Sequence, residues 1–127
     1  MARDAALAGL RVLVVEDEFL IALDVGDTLG ELGCEVVGPV PTVAAGLDLL
    51  QADGCELAVL DVRLRDGSTA PLAQALAERG VPFVMLTGYE RSQIDEPLLR
   101  AAPIVAKPLQ RKALRAALLA ALAGRPA

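Results

Sequence analysis

Glu-Leu-Ala-Val-Leu-Asp-Val-Arg-Leu-Arg-Asp-Gly, residues 56–67, is the stretch whose reading decides the fold. Leu57 to Leu60 is an unbroken apolar run, which suits a strand buried on both faces. The run stops at a carboxylate, Asp61, and Asp66-Gly67 signals a turn soon after. A charge at the carboxyl end of a buried strand lies at the mouth of an α/β sheet, where ligands bind. Taken alone, the same residue also reads as a strand-ending Asp facing water. The choice between the two depends on how the neighbouring strands end.

Working outward, apolar runs alternate with helical patterns. Leu10 to Val15 predicts a first strand, ending in the acids Glu16, Asp17 and Glu18. A helix is expected from about Asp17 to Leu32, with Ile21, Val25, Leu29 and Leu32 on one face and Gly33 as its stop. Glu35 to Val40 reads as a second strand, and Thr42 as the cap of a helix ending near Asp53-Gly54. After the central strand, Ser68 or Thr69 opens a third helix that Gly80 ends, with Pro71 in its first turn. Pro82 to Leu86 is a fourth strand, leading into Thr87-Gly88-Tyr89. The polar piece Glu90 to Arg100 contains Pro97 and predicts only a short or mobile helix. Ala102 to Ala106 is a fifth strand before Lys107-Pro108, and Leu109 to Ala123 is the last helix. Five alternations imply an α/β fold, a doubly wound five-stranded parallel sheet. Its expected order is 2-1-3-4-5, as in flavodoxin-like sheets. Residues 1–9 read as an N-terminal extension, 10–123 as the domain and 124–127 as a tail.

Composition narrows the function classes. The chain has 127 residues, which suits one domain, and 54% are apolar but only 2% aromatic, so the expected core is aliphatic. A net charge of −5 argues against binding a nucleic-acid backbone through this domain. No apolar run is long enough to span a bilayer, and no secretory apolar core follows Arg3 and Asp4. A cytoplasmic protein without membrane insertion is the expectation. Cys34 and Cys55 stand apart and read as core residues in a reducing compartment. The sequence contains no histidine. That removes a Ser-His-Asp triad, a histidine metal site and a phosphohistidine carrier role, so any phosphoryl donor is another molecule.

In the expected order, strands one, three, four and five are neighbours. Their carboxyl ends carry Glu16 and Asp17, Asp61, Thr87 and Lys107. Each has a plain reading in isolation: acids at a helix start, a loop threonine, a surface lysine before a turn. Together, three carboxylates, a hydroxyl and an ammonium meet from four remote parts of the chain. Clustered carboxylates repel unless a cation joins them or a proton is taken up. Oxygen ligands without histidine or a thiolate pair select Mg²⁺ or Mn²⁺ over Zn²⁺. A metal held this way beside a lysine polarises a phosphoryl group, and one carboxylate can then form an aspartyl phosphate. Lys107 and Thr87 would contact the phosphoryl oxygens. The reading requires that the Asp61 carboxyl be neither buried nor out of reach of the acidic pair and the ammonium.

On these residues the chain resembles the receiver (response regulator) domain of bacterial two-component signalling, over about residues 10–123. The resemblance implies that Asp61 accepts a phosphoryl group from a histidine kinase or histidine phosphotransfer protein and then switches the binding of a downstream protein. It implies direct Mg²⁺ ligation by Asp17 and Asp61, a further ligand in the Arg63 carbonyl, and Glu16 acting through water. It also implies a Lys107-Pro108 bond that is often cis. Pro82 to Tyr89 looks like the subgroup nicknamed FATGUY, with Met85-Leu86 in place of the usual Phe-Ala. The position three before Lys107 is Ile104, where most receivers carry an aromatic switch residue. Tyr89 and the Glu90 to Arg100 segment are the alternative switch candidates.

Two other classes share parts of this pattern. A haloacid dehalogenase-type hydrolase also uses an aspartyl nucleophile, but has a second acid two residues on, where this chain has Arg63. Sustained turnover of a phosphate ester would mark it. A flavodoxin-like FMN protein needs a Ser/Thr/Gly-rich phosphate loop after strand one, where Glu16-Asp17-Glu18 would repel phosphate. A colourless protein rejects it. Fold alone does not separate these classes; the site does.

Overall fold

A computed structural model of the chain describes residues 4–88 and 93–124. Twelve elements follow in order: β1 (Arg11–Val15), α1 (Phe19–Glu31), β2 (Glu35–Val40), α2 (Val43–Ala52), β3 (Leu57–Asp61), β4 (Arg63–Leu64), β5 (Gly67–Ser68), α3 (Ala70–Glu78), β6 (Phe83–Thr87), α4 (Pro97–Arg100), β7 (Ile104–Ala106) and α5 (Arg111–Ala123). Five strands form one parallel sheet in the order β2-β1-β3-β6-β7, which is the expected 2-1-3-4-5 once the short pair β4-β5 is set aside.

The period-two alternation of strand side chains divides the core into two layers. Leu13, Val15, Ala58, Leu60, Phe83 and Met85 face α2, α3 and α4. Val12, Val14, Leu57, Val59, Val84 and Leu86 face α1 and α5. Both faces are apolar because both are covered, which is why the strands read as continuous hydrophobic runs. On the first face, Gly46 of α2 allows close approach: a Cβ there would stand 2.9 Å from Leu72 Cδ2 and 3.0 Å from Val15 Cγ2.

Several boundaries differ from the expectation, each for a local reason. Helix α1 starts at Phe19 rather than Asp17, with Glu18 extended at its N-cap. The Glu18 N–H is taken by the Glu16 side chain at 3.0 Å, which holds the acidic triplet out of the helix. The acids therefore do not occupy the first helical turn. Pro97 does not interrupt α4 but begins it, since a proline at the first position removes no needed N–H. The connection between β3 and α3 is not a bare turn: Arg63–Leu64 and Gly67–Ser68 pair as a small antiparallel ribbon. Residues 4–9 were expected only as an extension, yet Leu7 is fully buried among Val12, Leu29, Leu32 and α5. Asp4 N–H also donates to the Leu32 carbonyl.

Candidate functional site

Parallel register brings the strand ends level. Asp61, the last residue of β3, pairs with Leu86, and Thr87, the last of β6, pairs with Ala106. Lys107 N–H donates to the Thr87 carbonyl at 2.9 Å, continuing the ladder one step past β7. On the other side, Glu16 N–H donates to Val40 at the end of β2. The residues singled out from sequence, Glu16, Asp17, Asp61, Thr87 and Lys107, thus all stand at one edge of the sheet. The Lys107-Pro108 peptide is cis.

Lys107 is the hub. Its Nζ lies 2.9 Å from Asp61 Oδ2, 2.9 Å from Glu18 Oε1 and 3.0 Å from Glu16 Oε1. The first two are hydrogen bonds. The Glu16 contact is an ion pair out of hydrogen-bonding alignment, so Glu16 Oε1 remains a buried acceptor without a donor. Burial, with the Asp61 charge adding to it, pushes the Glu16 carboxyl up to about 7, against the Glu18 N–H and the Lys107 ammonium. Burial also works against the Lys107 charge, but Asp61, Glu18 and Glu16 outweigh it and hold the ammonium's pKa above the ordinary lysine value.

One ammonium thus serves a cluster of four carboxylates. Glu16, Asp17, Glu18 and Asp61 each present an oxygen, all within 4.8 Å of one another. An all-oxygen donor set carrying a buried, donorless carboxylate oxygen fits a hard divalent cation of the Mg²⁺ or Mn²⁺ kind. Asp17, Glu18, Asp61, Arg63, Leu64, Arg65, Gly88 and Lys107 line an open cavity of about 590 Å³. That is room for a hydrated ion and a phosphoryl group.

The expectation of an unburied Asp61 carboxyl needs correction. Asp61 is 7% exposed, because the Lys107 ammonium lies over Oδ2 and the cavity is recessed. The carboxyl still lines that open cavity. Thr87 is fully buried beside it. Ile104 is half-buried in β7 and packs against the layer formed by α2, α3 and α4. Tyr89 and the first part of the Glu90 to Arg100 segment lie outside the described residues.

Three residues make contacts that the sequence reading did not foresee. The Thr69 hydroxyl, fully buried, donates to the carbonyls of Asp61 and Val62 at 2.7 and 3.0 Å. It fixes the backbone that carries the Asp61 carboxyl. The Asp66 carboxylate accepts from Val43 and Ala44 N–H at 3.0 and 3.2 Å, which caps α2 from across the molecule. Glu18 was read only as part of an acidic triplet, and its bond to Lys107 joins residues 89 apart. Only Thr69 and Asp66 carried a local signal, as residue types that bond backbone groups near helix starts.

Comparison with known proteins agrees with this arrangement. A family model described as "Response regulator receiver domain" matches residues 12–119. The transcriptional regulatory protein TdiR of Thauera aromatica is 36% identical over 121 residues, 88% of this chain and 51% of that protein. PdtaR of Mycobacterium tuberculosis is 33% identical over 88 residues, 68% of this chain and 42% of its own length. The chain spans about half the length of the curated relatives it matches, or somewhat less. Among solved structures, SdrG from Sphingomonas melonis Fr1 superposes with a TM-score of 0.79 at 40% identity, covering 90% of this chain and 97% of that one. The receiver domain of PhyR from Erythrobacter litoralis gives 0.83 at 25% identity, covering 97% of both. The family model takes in both core layers and every strand end described above, and the chain belongs to the response regulator receiver domains, the signalling module of two-component regulators.

Proposed function

We propose that this chain is a phosphoacceptor switch. Asp61 takes a phosphoryl group from a phosphohistidine on a partner kinase or phosphotransfer protein. An Asp61 oxygen forms the new bond to phosphorus as the phosphorus–nitrogen bond of the donor breaks, and the neutral imidazole leaves. The chain's own lack of histidine agrees with a donor in trans. Asp17 and Asp61 would hold Mg²⁺ directly, the Arg63 carbonyl would add a ligand, and Glu16 would act through water. The ion would neutralise charge between the carboxylate and the incoming anion. Lys107 then follows the phosphoryl oxygens and the Thr87 hydroxyl donates to one of them.

The observation that carries this reading is the 2.9 Å contact between Lys107 and Asp61 within a cluster of four carboxylates. The chain catalyses only its own phosphorylation and dephosphorylation, and Arg63 and Tyr89 set the lifetime of the acyl phosphate by shielding it. Residues 10–123 form the signalling unit, with 1–9 an extension and 124–127 a tail. Its setting is the cytoplasm. Among the described residues, no helix is long and apolar enough to cross a membrane. The altered charge at Asp61 changes the affinity for a downstream protein, with Tyr89 and Ile104 the switch candidates. Titration with beryllofluoride and Mg²⁺, followed by NMR, tests the reading. Resonances around residues 61, 87 and 107 should move in the parent and stay still in Asp61→Asn. Equal responses in the two proteins would remove Asp61 from the role.

A further inference from the structure

The reaction just proposed uses Lys107 as the group that meets the phosphoryl oxygens, yet in this structure the ammonium is already engaged. Two of its N–H donors go to Asp61 Oδ2 and Glu18 Oε1. The three carboxylates around it are not alike. Glu16 is buried, with its other oxygen held by the Glu18 N–H. Asp61 is the acceptor itself. Glu18 has a side chain 60% exposed, and among the residues lining the cavity it is the one acid besides Asp61 that grips the ammonium by a hydrogen bond. Its backbone is fixed by its own N–H bond to Glu16, so the side chain reaches Lys107 from a set position at the start of α1.

We infer that Glu18 is a positioning residue for Lys107, holding the ammonium at the cavity rim in the unphosphorylated protein and competing with the phosphoryl group for it. The inference rests on the phosphoacceptor reading. Three carboxylate oxygens stand 2.9–3.0 Å from Nζ, so a phosphoryl oxygen meets the ammonium only by displacing one of them. Glu16 is enclosed and Asp61 carries the phosphorus, so the exposed Glu18 is the partner that releases. An exposed ion pair of this kind is worth little by itself, and its loss changes a competing equilibrium by a small factor.

The test compares beryllofluoride and Mg²⁺ affinities in the parent, Glu18→Gln and Glu18→Asp, with the Lys107 side-chain nitrogen resonance recorded in each free protein. Glu18→Gln should bind beryllofluoride about two- to fivefold more tightly. Its Lys107 resonance should shift before any ligand is added. Glu18→Asp keeps the charge but shortens the reach by one methylene, and should behave like Glu18→Gln. Unchanged or weaker beryllofluoride binding in Glu18→Gln would overturn the inference. So would tighter binding with an unmoved Lys107 resonance, or a Glu18→Asp protein that behaves as the parent; both outcomes mean relief of charge repulsion alone. Parallel loss of Mg²⁺ affinity would make Glu18 a metal ligand instead. If the parent itself takes up no beryllofluoride, the phosphoacceptor reading fails and this inference with it.

Discussion

The two ends of the one sheet handle charge in opposite ways. Where the strands begin, Arg11 pairs with Glu35 at 3.7 Å, its Nη1 donates to the Asp53 carbonyl, and its N–H meets Glu56. Those groups stand at the surface, with, among the described residues, a single ion pair between Arg11 and Glu35, and Leu7 closes the end with apolar cover. Where the strands finish, a single half-buried ammonium faces several carboxylates, one of them enclosed. The first arrangement is electrically settled and contributes modest stability. The second costs stability until a cation or a proton completes it. Glu16 and Lys107, both displaced upward from their ordinary titration ranges, stand at this second end, and that contrast separates the two ends of one sheet.

Substitutions can break that contrast or sharpen it. The largest effect belongs to Asp61→Asn, which should abolish hydroxylamine-labile phosphoryl incorporation from a phosphorylated partner. Glu35→Gln at the opposite end should leave incorporation at the parent level. Next comes Lys107→Met, which strands the enclosed carboxylates. We expect a cost of about 3 kcal/mol in urea unfolding without metal, partly recovered by added Mg²⁺. Arg11→Met should cost about 1 kcal/mol or less in the same assay, with no response to Mg²⁺. Equal costs at the two ends would erase the distinction. Leu7→Ala should cost about 2–3 kcal/mol through the cavity it leaves, while beryllofluoride affinity stays unchanged.

The smallest effect is pH-linked. The N–H groups of Val43 and then Ala44 hold the Asp66 carboxyl below the usual aspartate value of 3.8. A depressed folded pKa gives a contribution present above the unfolded value and lost as pH falls through the folded one. The urea midpoint of the parent should therefore exceed that of Asp66→Ala at neutral pH, and the gap should close below about pH 3.8. A gap that persists at lower pH would mean that Asp66 acts through packing rather than charge.

How much of this was legible in the sequence follows from how each signal is encoded. The β1, β3 and β6 strands and their polar stops were readable because each is a short apolar run ended by one residue. The parallel register then placed Asp61, Thr87 and Lys107 together without further information. The N-terminal segment was not readable, since a single Leu7 without periodicity looks the same docked or free. The start of α1 was placed at about Asp17 rather than Phe19, because helix-start statistics do not foresee Glu16 turning back on the Glu18 N–H. Asp66 and Thr69 were missed for a similar reason: their partners are fixed by folding, and Asp66 meets residues 22 and 23 positions away.

Among the described residues, the side-chain bonds from the ribbon that follows Asp61 to distant helices run to one side of the molecule. Asp66 grips the start of α2, and the Ser68 hydroxyl donates to Glu96 at 3.0 Å, just ahead of α4. Both helices belong to the same layer, and α1 and α5 take no part in these bonds. A displacement of the acceptor loop must therefore strain one layer before the other. These bonds tie the loop to the α2 and α4 flank and leave the α1 and α5 flank outside them.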